Sequence, residues 1–496
     1  MRRFVRYIPY VLVVVLAIII VQCAVNPVTG KKEIMLVSEN QEINMGAEID
    51  RGLRMEYGMY DDPKLRDYIT EIGEQMAPLT HRPNLKYHFA VLDTPVENAF
   101  AAPGGYIYIT RGLLALMNSE AEMATVIGHE LGHVNARHSA QQMTRSILFT
   151  IGIAVVSELS KDFRKIAPLT LIATQLLFLK YSRDNEYQAD ELGFNYSLKS
   201  GFNSGEMVTF FSTLDRMVAN EGGSSLPNFL STHPMTPKRI EKVKGYIQAQ
   251  ELANPGQLAK LKIDRKRYCK MIDGLVYGDD PRQGFVEGNA FYHPAMGISF
   301  KIPSGWKVQN TPLQVTMASD QGNVLVLMKA EESNDELEDY SQKLMKNLSE
   351  PKVLNQGHQA VNGMNAFHSA LQITSQPSES DAAKGAKPQK TNVNISCIRK
   401  DEMIYSFFSV AAEKDWRHCR DEVREVIGSF KPLKNTKYLN RQPQRVYVKE
   451  VQGNSTLQEY LVDQHIPRQD WDRIALMNCL QLNDRLSSHR LLKVIQ

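Results

Sequence analysis

Two histidines four residues apart, the first followed by a glutamate, stand in the run Thr125-Val126-Ile127-Gly128-His129-Glu130-Leu131-Gly132-His133. On an α-helix each residue advances about 100°, so residues four apart sit about 40° apart on one face. His129 and His133 therefore project side by side, one turn apart, and two neutral imidazoles so placed can hold Zn²⁺ at about 2.0–2.1 Å. Glu130 lies beside them, within reach of a water at the metal. A bare HExxH also arises in helices that hold no metal, so the remaining donors decide. A catalytic zinc needs a third protein ligand and one open position. The run Tyr181-Ser182-Arg183-Asp184-Asn185-Glu186-Tyr187-Gln188-Ala189-Asp190 offers Glu186 for that role. Asp190, one turn on, can accept a hydrogen bond from a ligand imidazole and fix its tautomer. His138 is the contrast: nine residues past His129, it lies about 180° around the same helix and cannot join the site unless the helix breaks.

Two more segments bear on the chemistry. Asn98-Ala99-Phe100-Ala101-Ala102-Pro103-Gly104-Gly105-Tyr106-Ile107-Tyr108-Ile109 reads as strand, turn, strand. A strand edge at Asn98, Ala99 and Phe100 could hold an extended peptide beside the metal. Ser231-Thr232-His233-Pro234-Met235-Thr236-Pro237-Lys238-Arg239 supplies an imidazole and a guanidinium. In a hydrolase built on these parts Glu130 is the general base, later passing its proton to the leaving amine. The metal lowers the pKa of its water to about 7 and polarises the carbonyl. His233 or Arg239 would then stabilise the oxyanion. Arg239 has a second reading, as the partner of a structural carboxylate. His233 has three: a latch in the metal's open position, an oxyanion donor, or a surface histidine. Pro234 biases it to extended backbone, so it would project from a loop rather than from a helix end.

The elements that must carry these residues are mostly helices over residues 40–250. Ser119 and Glu122 form a capping box opening the HExxH helix. Apolar stretches at 147–156 and 167–179 are too short to span a membrane and read as buried helices. Residues 286–435 differ. Ile298, Phe300 and Ile302 alternate, as do Val393, Ile395 and Cys397, which is strand periodicity. Leu337, Tyr340, Leu344 and Leu348 recur at helical spacing, as do Trp416, Cys419, Val423, Ile427 and Phe430. That mixture predicts an α+β domain. Residues 375–390 read as a polar loop. Residues 251–285 read as a linker; its Lys262, Arg265, Lys266, Arg267 and Lys270 suit a solvated surface or contact with anionic headgroups.

A length of 496 residues requires at least two domains. The 43% hydrophobic and 23% charged content is globular, and a net charge of +3 excludes a basic nucleic-acid binder. At the N-terminus Arg2, Arg3 and Arg6 precede a charge-free apolar run over residues 7–21, the pattern of an export signal. Cys23 follows at once, where a bacterial lipoprotein carries its lipid, although Gln22 stands where such signals place a small residue. A lipid anchor on Cys23 and an uncleaved N-terminal helix both tether the rest of the chain outside the cytoplasm. Cys397 and Cys419 could bridge in an oxidising compartment or stand as buried thiols. The last 60 residues, with Val451, Leu457, Leu461, Leu476, Asn478 and Leu492-Lys493-Val494-Ile495, loosely resemble a LysM-type module, the fold that binds peptidoglycan glycans; the equal alternative is a packing module.

The segments around Asn98, His129, Glu186 and His233, in this order, resemble the zinc metallopeptidases related to the CAAX prenyl endopeptidase and the bacterial heat-shock membrane protease, peptidase family M48. Cys23-Ala24-Val25-Asn26-Pro27-Val28-Thr29-Gly30 resembles the start of that family's exported lipoprotein members. The resemblance implies a mostly helical zincin-type (gluzincin) protease domain with a small edge sheet over 24–250; with the segments read above, the chain is multidomain: an export signal or anchor (1–23), the protease domain (24–250), the linker (251–285), the α+β domain (286–435) and a LysM-like module (436–496). It implies one Zn²⁺ per chain on His129, His133 and Glu186, Glu130 as catalytic glutamate, and Asp190 supporting a ligand. It further implies a periplasmic, membrane-anchored endopeptidase for misfolded or stalled envelope proteins, with peptidoglycan a possible partner and no nucleic acid. A latent peptidase serving as an envelope chaperone or scaffold is the alternative, and a hydrolase of non-peptide amides the third reading.

Overall fold

In a computed structural model, residues 23–156, 181–220, 228–376 and 388–496 are described. The apolar run 7–21, the stretch 167–179 and most of the loop 375–390 lie outside them. Among the described residues no helix is long and apolar enough to cross a membrane.

The first part of the chain places helices around a small sheet. Helix α1 (Glu39–Glu56) opens on a complete capping box between Ser38 and Gln41, and α2 (Pro63–Met76) starts on proline behind an Asp62 cap. Strands β1 (His88–Leu92), β2 (Ala99–Ala102) and β3 (Tyr106–Thr110) form a sheet in the order β1-β3-β2, with β1 parallel and β2 antiparallel to β3. The short α3 (Arg111–Leu116) leads to α4 (Glu120–Asn135), every residue of which is buried. There follow α5 (His138–Val156), α6 (Arg183–Lys199), α7 (Glu206–Asn220), α8 (Asn228–Thr232) and α9 (Pro237–Ala253).

Residues 251–285 do not behave as a linker. They contain α10 (Arg265–Ile272), whose Tyr268 and Ile272 join the same core as α2 and α4, and the strand β4 (Val276–Tyr277). Among their cations, Lys262 is paired with Glu120, and Arg267 with Glu71 at 2.6 Å and Glu120 at 3.3 Å. Glu120 is fully buried at the first turn of α4, so these cations neutralise a carboxylate that the core could not otherwise hold.

Asp279–Pro443 is a separate compact unit. Its seven-stranded antiparallel sheet comprises β5 (Lys307–Asn310), β6 (Val315–Ala318), β7 (Val324–Glu332), β8 (Lys352–Val361), β9 (Met364–Ser375), β10 (Gln389–Lys400) and β11 (Met403–Ala412), in the order β5-β6-β7-β11-β10-β9-β8. Helices α11 (Leu337–Met345) and α12 (Glu413–Gly428) contribute to two different hydrophobic clusters of this unit. The periodicity at 298–302 falls on a further strand, Ile298–Lys301, and those at 337–348, 393–397 and 416–430 fall on α11, β10 and α12, as expected. Cys397 belongs to the α11 cluster and Cys419 to the α12 cluster, and both are buried free thiols. The bridge between them is not formed because the two side chains serve separate cores.

The final stretch, Gln444–Gln496, returns to the first unit. Strand β12 (Gln444–Glu450) pairs with both β4 and the terminal β13 (Leu491–Ile495). Helices α13 (Leu457–Asp463) and α14 (Trp471–Met477) add Leu457, Leu461, Ile474 and Met477 to the core that already holds α4. Lys493, fully buried, donates from Nζ to the carbonyls of Ala115 at 2.8 Å and Met117 at 2.6 Å, so it caps the end of α3. This terminal segment is continuous with the helical unit.

Candidate metal centre

The HExxH segment lies on α4 as its spacing requires. Ser119 caps the helix, accepting from the Glu122 backbone N–H at 3.1 Å. Glu122 reaches back to the N–H of Asn118 at 2.7 Å, one residue before the cap, so the reciprocal half of the expected box is displaced by one. Alongside, α4 and α6 are pressed together where each lacks side chains. A Cβ on Gly193 would sit 2.7 Å from the His129 nitrogen, and one on Gly128 would sit 2.8 Å from the Gly193 carbonyl. Gly128 and Gly132 on one helix, facing Ala189 and Gly193 on the other, let the backbones approach closely enough for Glu186 to reach the two histidines.

Four donor atoms converge. His129 Nε2 is 3.1 Å from His133 Nε2 and 3.3 Å from His233 Nδ1; Glu186 Oε1 is 3.2 Å from His233 Nδ1 and 3.5 Å from His133 Nε2. A tetrahedron with ligand bonds of 2.0–2.1 Å has edges of about 3.3 Å. The convergence of four such donor atoms at this spacing matches a metal's coordination sphere. The buried, unsatisfied atoms point the same way: both Glu130 oxygens and His233 Nε2 have no hydrogen-bond partner. A metal ion with water or a substrate carbonyl would give them partners, so the residues present fit the group.

The supporting contacts are as specific. Asp190 Oδ1 lies 3.0 Å from His129 Nδ1, and the Arg239 guanidinium clasps the same carboxylate through Nε at 2.7 Å and Nη2 at 2.6 Å. Burial works to raise Asp190, and Arg239 outweighs it, holding the carboxyl at about 2. Arg239 Nη1 is 2.9 Å from Glu186 and donates to the carbonyls of His233 at 3.4 Å and Pro234 at 3.3 Å. The guanidinium is fully buried and spent on these contacts. Arg239 is thus in the carboxylate-partner position, and the expectation that it reaches an oxyanion has no free donor to support it. Burial raises the Glu130 carboxyl, with His233 and His129 pulling it part of the way back. Burial, with His129 next to it, holds His133 well below the usual imidazole range.

His233 is fully buried, so it is not a surface histidine. Its N–H donates to the Phe229 carbonyl at 2.7 Å, and the Phe229 ring stacks on its imidazole at 4.8 Å. Nδ1 faces the donor cluster while Nε2 faces Glu130 Oε1 at 3.6 Å. The chain therefore brings His129, Glu130, His133, Glu186, Asp190, His233 and Arg239 together. Asn98 immediately precedes β2, and Ala99 and Phe100 open it, on the edge strand beside α4. All three are buried; the Asn98 N–H donates to Thr110 Oγ1 and its carbonyl accepts from the Thr110 N–H, both at 3.0 Å, and the Phe100 ring packs against Tyr108 at 5.2 Å. Ala99 and Phe100 are packed into hydrophobic clusters, so what they offer a peptide is the strand's backbone edge.

Sequence reasoning set His138 aside, and the structure returns it. Helix α4 stops at Asn135, and Arg137 takes a left-handed φ of 58°. That strain is held by Arg137 Nε on Glu42 Oε1 at 2.8 Å and Nη2 on the Val37 carbonyl at 2.8 Å. The turn brings His138 Nδ1 to 2.9 Å from His133 Nδ1. Tyr181 was likewise missed; its ring stacks on His133 at 4.1 Å. No helical period could signal either, because both contacts depend on where a helix breaks.

Helix-borne imidazoles, a carboxylate from a neighbouring helix and a buried glutamate free of hydrogen bonds together describe a metallohydrolase-type centre. Comparison with known proteins points to the class: residues 63–247 match the model of peptidase family M48. The chain is 34% identical over 181 residues to the mitochondrial metalloendopeptidase OMA1 of Arabidopsis thaliana, covering 36% of this chain and 35% of that one. It is 30% identical over 213 residues to the beta-barrel assembly-enhancing protease of Escherichia coli strain K12, covering 41% and 43%. It is 30% identical over 162 residues to the metalloprotease YcaL of the same strain, covering 32% and 62%. The chain spans less than two thirds of each of these relatives.

Proposed function

We propose that this protein is a zinc metalloendopeptidase of the bacterial envelope, with His129, His133 and Glu186 as ligands and Glu130 as general base. The observation that carries the reading is the set of donor atoms at tetrahedral spacing beside a buried, unsatisfied Glu130. Zinc bound there supplies Lewis-acid chemistry, acidifying a water and polarising a carbonyl. Glu130, its carboxyl raised by burial, accepts the proton of the attacking water and returns it to the leaving amine. Asp190 and Arg239 fix His129, and the backbone edge of β2 lines up an extended peptide. In this reading the protease domain is a gluzincin, two histidines and a glutamate holding the metal. The substrates in this reading are misfolded or stalled envelope proteins, in keeping with the name of the assembly-enhancing relative. The chain is tethered through a lipid on Cys23 or an N-terminal helix, on the periplasmic side, and its LysM-like terminal segment contacts peptidoglycan.

A second reading, a peptidase held latent while the chain acts as an envelope chaperone or scaffold, draws on His233: its Nδ1 takes the fourth corner, where substrate must enter. Metal analysis paired with cleavage of an unfolded protein tests both. Wild type should carry one zinc and cleave; Glu130→Gln should keep the zinc and lose cleavage. Near wild-type turnover by Glu130→Gln would remove that residue from the mechanism, and zinc without cleavage in wild type would favour latency.

A further inference from the structure

We propose that His138 and Gln188 are positioning residues for the metal, forming a neutral hydrogen-bond relay that fixes the tautomer and ring orientation of His133. His133 Nε2 points into the donor cluster and must offer a lone pair there. A neutral imidazole then carries its proton on Nδ1, which lies 2.9 Å from His138 Nδ1. Two ring nitrogens at that distance need one donor and one acceptor, so His138 Nδ1 is the acceptor. Its proton is consequently on Nε2, which faces the Gln188 amide oxygen at 3.0 Å, an atom that can only accept. Each step is forced by the one before it, from metal side to amide.

The relay complements the one already described. His129 is backed directly by the Asp190 carboxylate, and His133 by a neutral chain ending on Gln188. Helix α6 thus supplies Glu186 as a ligand, Asp190 behind one imidazole and Gln188 behind the other. The left-handed Arg137 has a purpose in this arrangement: without the break after Asn135, His138 would continue around α4 and miss His133. Tyr181 closes the remaining freedom of the ring by stacking on it, its hydroxyl 3.1 Å from Ser139 Oγ.

The inference rests on the proposed metal centre, and the test separates the two. Zinc affinity of the full chain would be measured by competition with a chromophoric chelator for wild type, Glu186→Ala, His138→Phe, His138→Asn and Gln188→Met. Loss of an orienting partner costs about 10–100-fold in metal affinity. His138→Phe and Gln188→Met should lose within that range, whereas His138→Asn, which offers an acceptor and a donor on one planar group, should recover part of it. A purely packing role predicts the reverse order, Phe above Asn. In zinc-loaded protein with ¹⁵N-labelled histidine, His133 should carry its proton on Nδ1 and His138 on Nε2. Wild-type affinity in both His138→Phe and Gln188→Met, or the opposite His138 tautomer, overturns the relay. Unchanged affinity in Glu186→Ala overturns the metal centre instead.

Discussion

Arg239→Met is the most informative single perturbation of the centre. The side chain is 1% exposed and serves two carboxylates, clasping Asp190 at 2.6 and 2.7 Å and touching Glu186 at 2.9 Å. Met keeps most of the volume and the packing on Phe211, whose ring the guanidinium overlies at 4.8 Å. What it removes is the one strong cation facing two buried anions. Breaking a buried pair by deleting one partner costs about 3–5 kcal/mol, because the remaining charge stays buried or must take up a proton. In a unit of this size that lowers the melting temperature by about 4–7 °C. Two controls make the reasoning strict. Asp190→Asn/Arg239→Met removes charges of both signs and should recover several kcal/mol relative to the sum of the single variants. Zinc, which places positive charge beside Glu186, should shrink the penalty of Arg239→Met. The assay is thermal and urea unfolding of metal-free and zinc-loaded protein. A loss under about 1 kcal/mol, or additive single variants, would refute the placement of Arg239 as the counter-charge of α6.

Further outcomes follow from the same geometry. His233→Ala should raise cleavage of an unfolded protein, since it vacates the fourth corner and uncovers Glu130; a loss of about 10²–10³-fold would instead make His233 an oxyanion donor. Asp190, held at about 2 against an ordinary 3.8, stabilises the metal-free fold fully above pH about 4, and that contribution, about 2 kcal/mol, disappears as pH falls to 2. Acid unfolding should therefore shift upward in pH in metal-free Arg239→Met, where the cause of the depression is gone. Gly193→Ala should cost about 1–3 kcal/mol and reduce zinc content, because its Cβ would meet the His129 backbone at 2.7 Å, whereas Gly245→Ala, with nothing within 4 Å, should be neutral or mildly stabilising. Fatty-acid labelling should mark wild type and not Cys23→Ser if Cys23 carries lipid; absence of label in wild type would favour the uncleaved helix.

What the sequence made legible was what depends on local periodicity. The 40° offset between His129 and His133, the return of Asp190 one turn after Glu186, and the alternation at 298–302 are properties of a single element, and each is found where it was expected. What escaped depends on how elements meet. The charge-rich 251–285 segment reads as solvated in isolation, yet Lys262 and Arg267 are there for Glu120, which sits 142 residues from the first of them. The terminal 436–496 stretch reads as a module of its own, yet from Gln444 on it belongs to the first unit, its strand β12 bridging β4 and β13 and its Lys493 closing α3. Composition cannot reveal that a basic surface has a buried partner.

The same limit explains His138, and it exposes the logic of α4 and α6. Glycines at 128, 132 and 193 weaken both helices by about 1 kcal/mol each relative to alanine. They are retained where two backbones must come within van der Waals contact. That contact sets Glu186 against the imidazoles, and once Glu186 is buried there its charge has to be met by the metal site and by Arg239. Arg239 in turn holds the carbonyls of His233 and Pro234, which puts the imidazole of His233 over Glu130. Helix packing, charge balance and the position of the covering histidine are one chain of consequences. A substitution at Gly193 should for that reason be felt at His233, on a different element, before it is felt at the exposed ends of either helix.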